Sequence, residues 1–212
     1  HPVGLGGRVV DEIAGPERQT VIQSQDNIRL YLGWRAFRVQ KQGSRITSLD
    51  AKDTTTNREI RLEAPVFVDC TGDGWIGYWA GAEFREGREA HSEFNEKWDQ
   101  HGDLWSPETP DMKVMGTSVL WNAEQTKERH DFPEVPWAMP VAKDHEATAG
   151  EWYWEYSDND LNQVHDAEQI RDHVLRAIYG SFSNAKQNPK NATWKLKWVA
   201  HVGGKRESRR LV

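Results

Sequence analysis

Pro65-Val-Phe-Val-Asp-Cys-Thr-Gly-Asp-Gly-Trp-Ile-Gly77 is the stretch on which the fold turns. Val66-Phe67-Val68 is a nearly continuous apolar run, which suits a strand covered on both faces, as in a parallel sheet. Two closely spaced glycines then break the run, and Trp75 to Ala82 reads as a short apolar helix. Taken literally, Gly72-Asp-Gly74-Trp-Ile-Gly77 matches the G-x-G-x-x-G dinucleotide pattern, placed after a strand and before a helix. Two features oppose that match. Asp73 puts a carboxylate where a pyrophosphate would lie, and residues 82–100 hold no second apolar strand ending in a ribose-binding acid. A purely structural glycine turn is the competing account.

Upstream of this stretch, Gly15-Pro16 signals a loop, and period-2 alternation begins at Asn27. Ile28, Leu30 and Leu32 fall on one side, followed by Phe37 and Val39 after Gly33-Trp34. Ile46 to Ala51, the polar turn at Asp53-Thr-Thr-Thr-Asn57, and Ile60 with Leu62 complete an expected antiparallel meander with one wet face. Downstream, Arg88 to Trp98 reads as a charged amphipathic helix and 99–111 as loop. Met115 to Trp121 and Glu151 to Tyr156 read as strands of a second sheet. Asp166-Ala-Glu-Gln169 is an N-cap followed three residues later by Gln. Ala167, Ile170, Val174, Ala177 and Ile178 continue it at helical spacing, with Asn188-Pro189 as the stop. Trp194 to Val202 alternates as a last strand before Gly203-Gly204.

The composition narrows the classes of function. The 212 residues are 37% hydrophobic and 28% charged, enough for a buried core and unlike a disordered or collagenous chain. A net charge of −6 argues against nucleic acid as a partner. No apolar run approaches the roughly 18 residues needed to span a bilayer, so no membrane partner is expected. Cys70 is the only cysteine, which excludes multi-cysteine metal sites and leaves the compartment open, leaning to the cytoplasm. Asp158-Asn-Asp160-Leu-Asn162 begins like a calcium loop, but Gln163 and Gln169 stand where Gly and a bidentate Glu belong. The histidines show no paired ligand spacing, so no metal is expected. His1 in place of an initiator Met, with no terminal helix at 204–212, reads as an internal fragment.

Val66-Phe-Val-Asp-Cys-Thr-Gly-Asp-Gly74, Ala80-Gly-Ala82, Gly87-Arg-Glu-Ala90, Ser92-Glu-Phe-Asn-Glu96, Met115-Gly116 and Gly204-Lys-Arg-Glu-Ser-Arg209 carry a resemblance. In this order they resemble the FAD-dependent oxidoreductase family, related to the glutathione-reductase and fumarate-reductase flavoproteins. The resemblance implies an α/β fold with an α+β insert. A partial FAD-binding Rossmann-like domain with its meander is expected at 16–82, an inserted substrate domain at 83–193, and a return segment at 194–212. It implies FAD as cofactor and redox chemistry on a small-molecule substrate, and names no catalytic acid or base. The cofactor-binding residues it implies are Thr71, Gly72, Asp73 and Gly74, with Lys205, Arg206, Glu207, Ser208 and Arg209 bordering the flavin. Glycine lets backbone N–H groups approach a ligand closely. Because the N-terminal strand and Gly-rich turn of such flavoproteins are not in this sequence, the fragment alone is expected to be inactive and not to retain FAD.

Eleven tryptophans, with Glu151, Glu155, Asp158 and Asp160 nearby, motivate a rival: a carbohydrate-binding module or glycosidase, the latter needing carboxylates about 5–9 Å apart. Burial in strands is the plainer use of those rings.

Overall fold

The computed structural model describes residues 16–95, 107–149, 154–157 and 160–212. The chain divides into two compact units. One comprises residues 16–86 with Ser208–Val212, hereafter the glycine-turn unit. The other is Gly87–Glu207, the helical unit. The class is mixed α/β, and every strand pair among the described residues is antiparallel.

In the glycine-turn unit, residues 16–23 are helical (α1), so the chain is already in a helix at Pro16, where Gly15-Pro16 signalled a loop. The meander follows as β1 (Trp34–Gln42), β2 (Arg45–Asp53) and β3 (Glu59–Glu63), in the order β1-β2-β3. The expected strand at Ile28–Leu32 does not form, and these side chains are exposed. In the turn after β2, Asp53 Oδ1 accepts from the N–H groups of Thr55 and Thr56, and Thr54 N bonds back to Gly33 O. On one face Val39, Leu49 and Leu62 stand in register, beside Ala36, Ala51 and Ile60. On the other, Asp50 is roofed by Arg38 of β1 and Arg61 of β3, each at 2.7 Å.

Hydrogen bonds from Arg61 and Arg38 hold the Asp50 carboxyl well below the usual carboxylate range. The folded-state value lies below the unfolded one, so this contribution is complete above about pH 4 and is lost as the pH falls through the folded value. Asp50→Asn is therefore expected to destabilise the protein at pH 7, with the difference from wild type shrinking below about pH 4. Urea titrations of both proteins at several pH values check this; a difference that stays constant with pH would contradict it.

After β3 the buried strand expected over Pro65 to Cys70 is absent. Val66 and Val68 are 73% and 81% exposed, and no strand pairs with this stretch among the described residues. An apolar run becomes a strand only when a neighbour supplies the ladder. Helix α2 (Trp75–Trp79) follows, and then β4 (Phe84–Arg85), which pairs with β9 (Arg210–Leu211).

In the helical unit, the helix expected at Arg88–Trp98 does not form over its described residues 88–95. Arg88 instead makes a bridge with Asp111, through both backbones and through side-chain bonds at 3.0 and 2.5 Å. Gly87 has φ +74°, and a Cβ there would collide with the Asp111 backbone, so the close approach requires glycine. Strands β5 (Thr117–Ser118) and β7 (Glu155–Tyr156) pair, as do β6 (Trp121–Gln125) and β8 (Trp194–Val199). Between them lie the short helix α3 (Met139–Ala142) and the long α4 (Ala167–Lys186).

Helix α4 fulfils the periodicity seen in the sequence. Ile170, Val174, Ile178 and Phe182 form its buried stripe and pack with Val119, Trp121 and Tyr156. Phe182 meets Phe132 and Trp121 edge-on, at centroid distances of 4.9 and 6.3 Å. The expected Asp166 cap is different in detail: its carboxylate accepts from Asn162 N rather than from the helix. At the far end the Lys186 ammonium donates to the carbonyls of Asn191, Ala192 and Trp194. Burial lowers its pKa, and the three carbonyls fasten the helix to the start of β8.

Candidate functional site

The glycine turn is built around a residue that sequence reasoning passed over. Asp69 Oδ1 accepts from Thr71 N at 3.0 Å and from Thr71 Oγ1 at 2.7 Å. Its Oδ2 accepts from Ile76 N at 2.8 Å and Gly77 N at 3.1 Å. Thr71 Oγ1 in turn accepts from Trp75 N at 2.9 Å. Burial opposes the charge on Asp69, but these bonds outweigh it and keep the carboxyl below its usual range. The available signal was the Asp-x-Thr spacing, which favours a side-chain-to-backbone turn.

Gly72 and Gly74 have φ +83° and +61°, the left-handed conformation that glycine adopts without strain. Around Gly72 the space is open: an added Cβ would meet nothing within 4 Å. Its N–H makes no hydrogen bond among the described residues. Gly74 and Gly77 are different, because Leu211 of β9 packs against both, and a Cβ on Gly77 would collide with it.

The C-terminal motif reaches the turn from 135 residues away. Ser208 Oγ donates to Asp73 Oδ1 at 2.7 Å, and Arg209 Nη1 donates to Asp73 O at 3.0 Å. The Arg209 side chain has no exposed surface. Its guanidinium lies 3.9 Å from the Tyr78 ring centroid, 4.4 Å from Trp75 and 5.7 Å from Phe84, with Glu86 Oε1 at 3.8 Å from Nε. Cations held over aromatic faces gain electrostatically, and more so when desolvated.

Of the nine residues expected to bind cofactor, the structure therefore brings together Thr71, Gly72, Asp73, Gly74, Ser208 and Arg209 in one unit. Lys205, Arg206 and Glu207 fall in the helical unit. There Arg206 pairs with Glu155, and Glu207 Oε2 accepts from Met115 N at 3.1 Å. Lys205 is half-buried in the same unit.

A family model described as FAD dependent oxidoreductase matches residues 8–212. The chain belongs to the FAD-dependent oxidoreductase family. FAD is accordingly its cofactor. Neither a curated protein nor a solved structure matches the chain.

Against this family assignment the turn admits a test of fit. In a dinucleotide fingerprint the N–H groups at the start of the helix face a pyrophosphate. Here Trp75, Ile76 and Gly77 give theirs to Thr71 and Asp69, so the start of α2 does not suit a second anion. The Gly72 edge does suit a closely approaching cofactor, being exposed, left-handed and open. The G-x-G-x-x-G match in this FAD oxidoreductase is thus an internally satisfied turn with one free edge. The Thr71 hydroxyl donates to Asp69 and accepts from Trp75, and its backbone N–H also donates to Asp69, so both donors of Thr71 are committed within the turn.

The tryptophans expected to serve a core do so in the helical unit: Trp121 is fully buried, with Trp154 and Trp194 packed on the same cluster. Trp152, Glu151 and Asp158 lie outside the described residues, as does the first half of the expected strand at 151–156, whose end forms β7. Among the described residues there is no cluster of metal-ligating side chains, and no helix is long and apolar enough to cross a membrane.

Proposed function

We propose that residues 16–86 with Ser208–Val212 form part of a Rossmann-like FAD-binding domain, and that the Thr71–Gly74 turn lies against the cofactor through its Gly72 edge. The substrate domain expected over 83–193 is then best drawn as Gly87–Glu207. In this reading the return begins at Ser208, and the pairing of β8 with β6 within the helical unit supports keeping Trp194–Val199 with the substrate domain. The reaction is oxidation or reduction of a small-molecule substrate. FAD, when bound, supplies the hydride-transfer chemistry, and the chain positions and shields it.

One observation carries this reading: two motifs 135 residues apart close on one turn, Ser208 and Arg209 gripping Asp73, while the neighbouring Gly72 edge stays open. In it, Gly72 approaches the cofactor, Asp73 and Ser208 fix the turn, and Arg209 acts from behind the turn.

Gly72→Val tests the reading, with Gly43→Val as its control. Gly43 also has positive φ and open space, but sits in the β1–β2 hairpin. Both substitutions carry backbone strain of about 1–3 kcal/mol. Only Gly72→Val is expected to lower the flavin-to-protein absorbance ratio of the intact protein, with FAD bound about tenfold more weakly or worse. Equal flavin content in the two variants would return the turn to a purely structural role.

A further inference from the structure

Asp69 lies five residues before the N-cap of α2, which is Gly74, so it is not a local helix cap. Its two oxygens join opposite sides of the turn. Oδ1 takes the entry, at Thr71, and Oδ2 takes the exit, at Ile76 and Gly77. The intervening residues 72–74 are the span whose Gly72 edge stands open. All four contacts are donated to Asp69, which leaves its carboxylate committed to the turn.

We infer that Asp69 is a positioning residue for FAD: by tying entry to exit it sets where the Gly72 edge meets the cofactor. The inference rests on the proposed cofactor-facing role of the turn. Only an ionised carboxylate offers two equivalent acceptor oxygens in this geometry; an amide offers one, and its NH2 would face N–H donors. Asp69→Asn can therefore keep the entry or the exit, not both. Thr71 supplies an independent handle, because its hydroxyl links Asp69 to Trp75 N. Serine preserves that link and valine removes it.

The experiment is FAD binding to the intact apoprotein, followed by flavin fluorescence at a temperature where circular dichroism shows each variant folded. A side chain that merely stabilises the fold lowers the melting temperature and leaves the affinity of the folded protein unchanged. The expected result is that Asp69→Asn weakens FAD about tenfold or more, the loss of hydrogen bonds to a charged group. Thr71→Val should weaken FAD as well, with Thr71→Ser close to wild type. Wild-type affinity in Asp69→Asn, or equal losses in the serine and valine variants, overturns the inference. Should Asp69→Asn fail to fold, the Thr71 pair decides alone. Gly72→Val separates the two levels. If it binds FAD normally the cofactor-facing role itself fails; if it binds weakly while Asp69→Asn is normal, only the role of Asp69 fails.

Discussion

Arg209→Ala is expected to destabilise the glycine-turn unit by about 3–5 kcal/mol, because it removes the cation of a buried ion pair. The Arg209 side chain has no exposed surface, and that of Glu86 is only 15% exposed. The same substitution removes the guanidinium from over Trp75, Tyr78 and Phe84, and takes away the donor to Asp73 O. Arg209→Lys keeps the charge but not the flat, forked group, so it should recover only part of the loss. Urea denaturation monitored by tryptophan fluorescence is the measurement, since Trp75 lies against the guanidinium. A loss below about 1 kcal/mol, the range of exposed ion pairs, would mean that the arginine is not held as described.

Phe182→Ala should cost the helical unit a similar amount, about 3–5 kcal/mol for deleting a large ring from a packed core. Phe182 is fully buried and bridges Phe132 to Trp121. Two residues earlier, on another side of α4, Gly180 is pressed so closely on Ala142 and Ala138 that a Cβ would clash, so α4 is held from that side as well. Calorimetry should show a clear drop in the transition of this unit. A drop as small as that of an exposed substitution would argue that the cluster around Trp121 is loose.

Periodicity was a good guide where an element carries its own partner. The meander has three alternating segments joined by short turns, and α4 has an unbroken apolar stripe, so the local pattern and the tertiary contacts agree. Val66-Phe67-Val68 shows the limit: apolar residues announce a need for burial, not the neighbour that meets it. At Arg88 a helical pattern lost to a bridge with Asp111, a contact 23 residues away that no window of sequence contains. The site was half legible for a related reason. Thr71–Gly74 and Ser208-Arg209 stood out as motifs, and they do meet. That Arg209 would turn inward beneath aromatic rings depends on Trp75, Tyr78 and Phe84 converging, which is a tertiary fact. Asp69 announced itself only through a short turn signature beside a more conspicuous glycine pattern.

The pairing of β4 with β9 also bears on the order in which the molecule matures. During synthesis Asp73 emerges 135 residues ahead of Ser208, so the turn must wait for its clasp until all of that intervening chain has been made. Closing so long a loop costs about 2 kcal/mol more than closing a hairpin of a dozen residues. The helical unit shortens that search on its own account: Arg88 is bound to Asp111, and Met115, four residues on, is bound to Glu207. Once it has folded, its first and last residues are tethered through a short bridge, and Phe84 and Leu211 are delivered to each other as if by a tight turn. Cofactor loading would then be a late event, timed by a segment that need not touch the flavin. A lesion as remote as one in the Phe182 core would slow it.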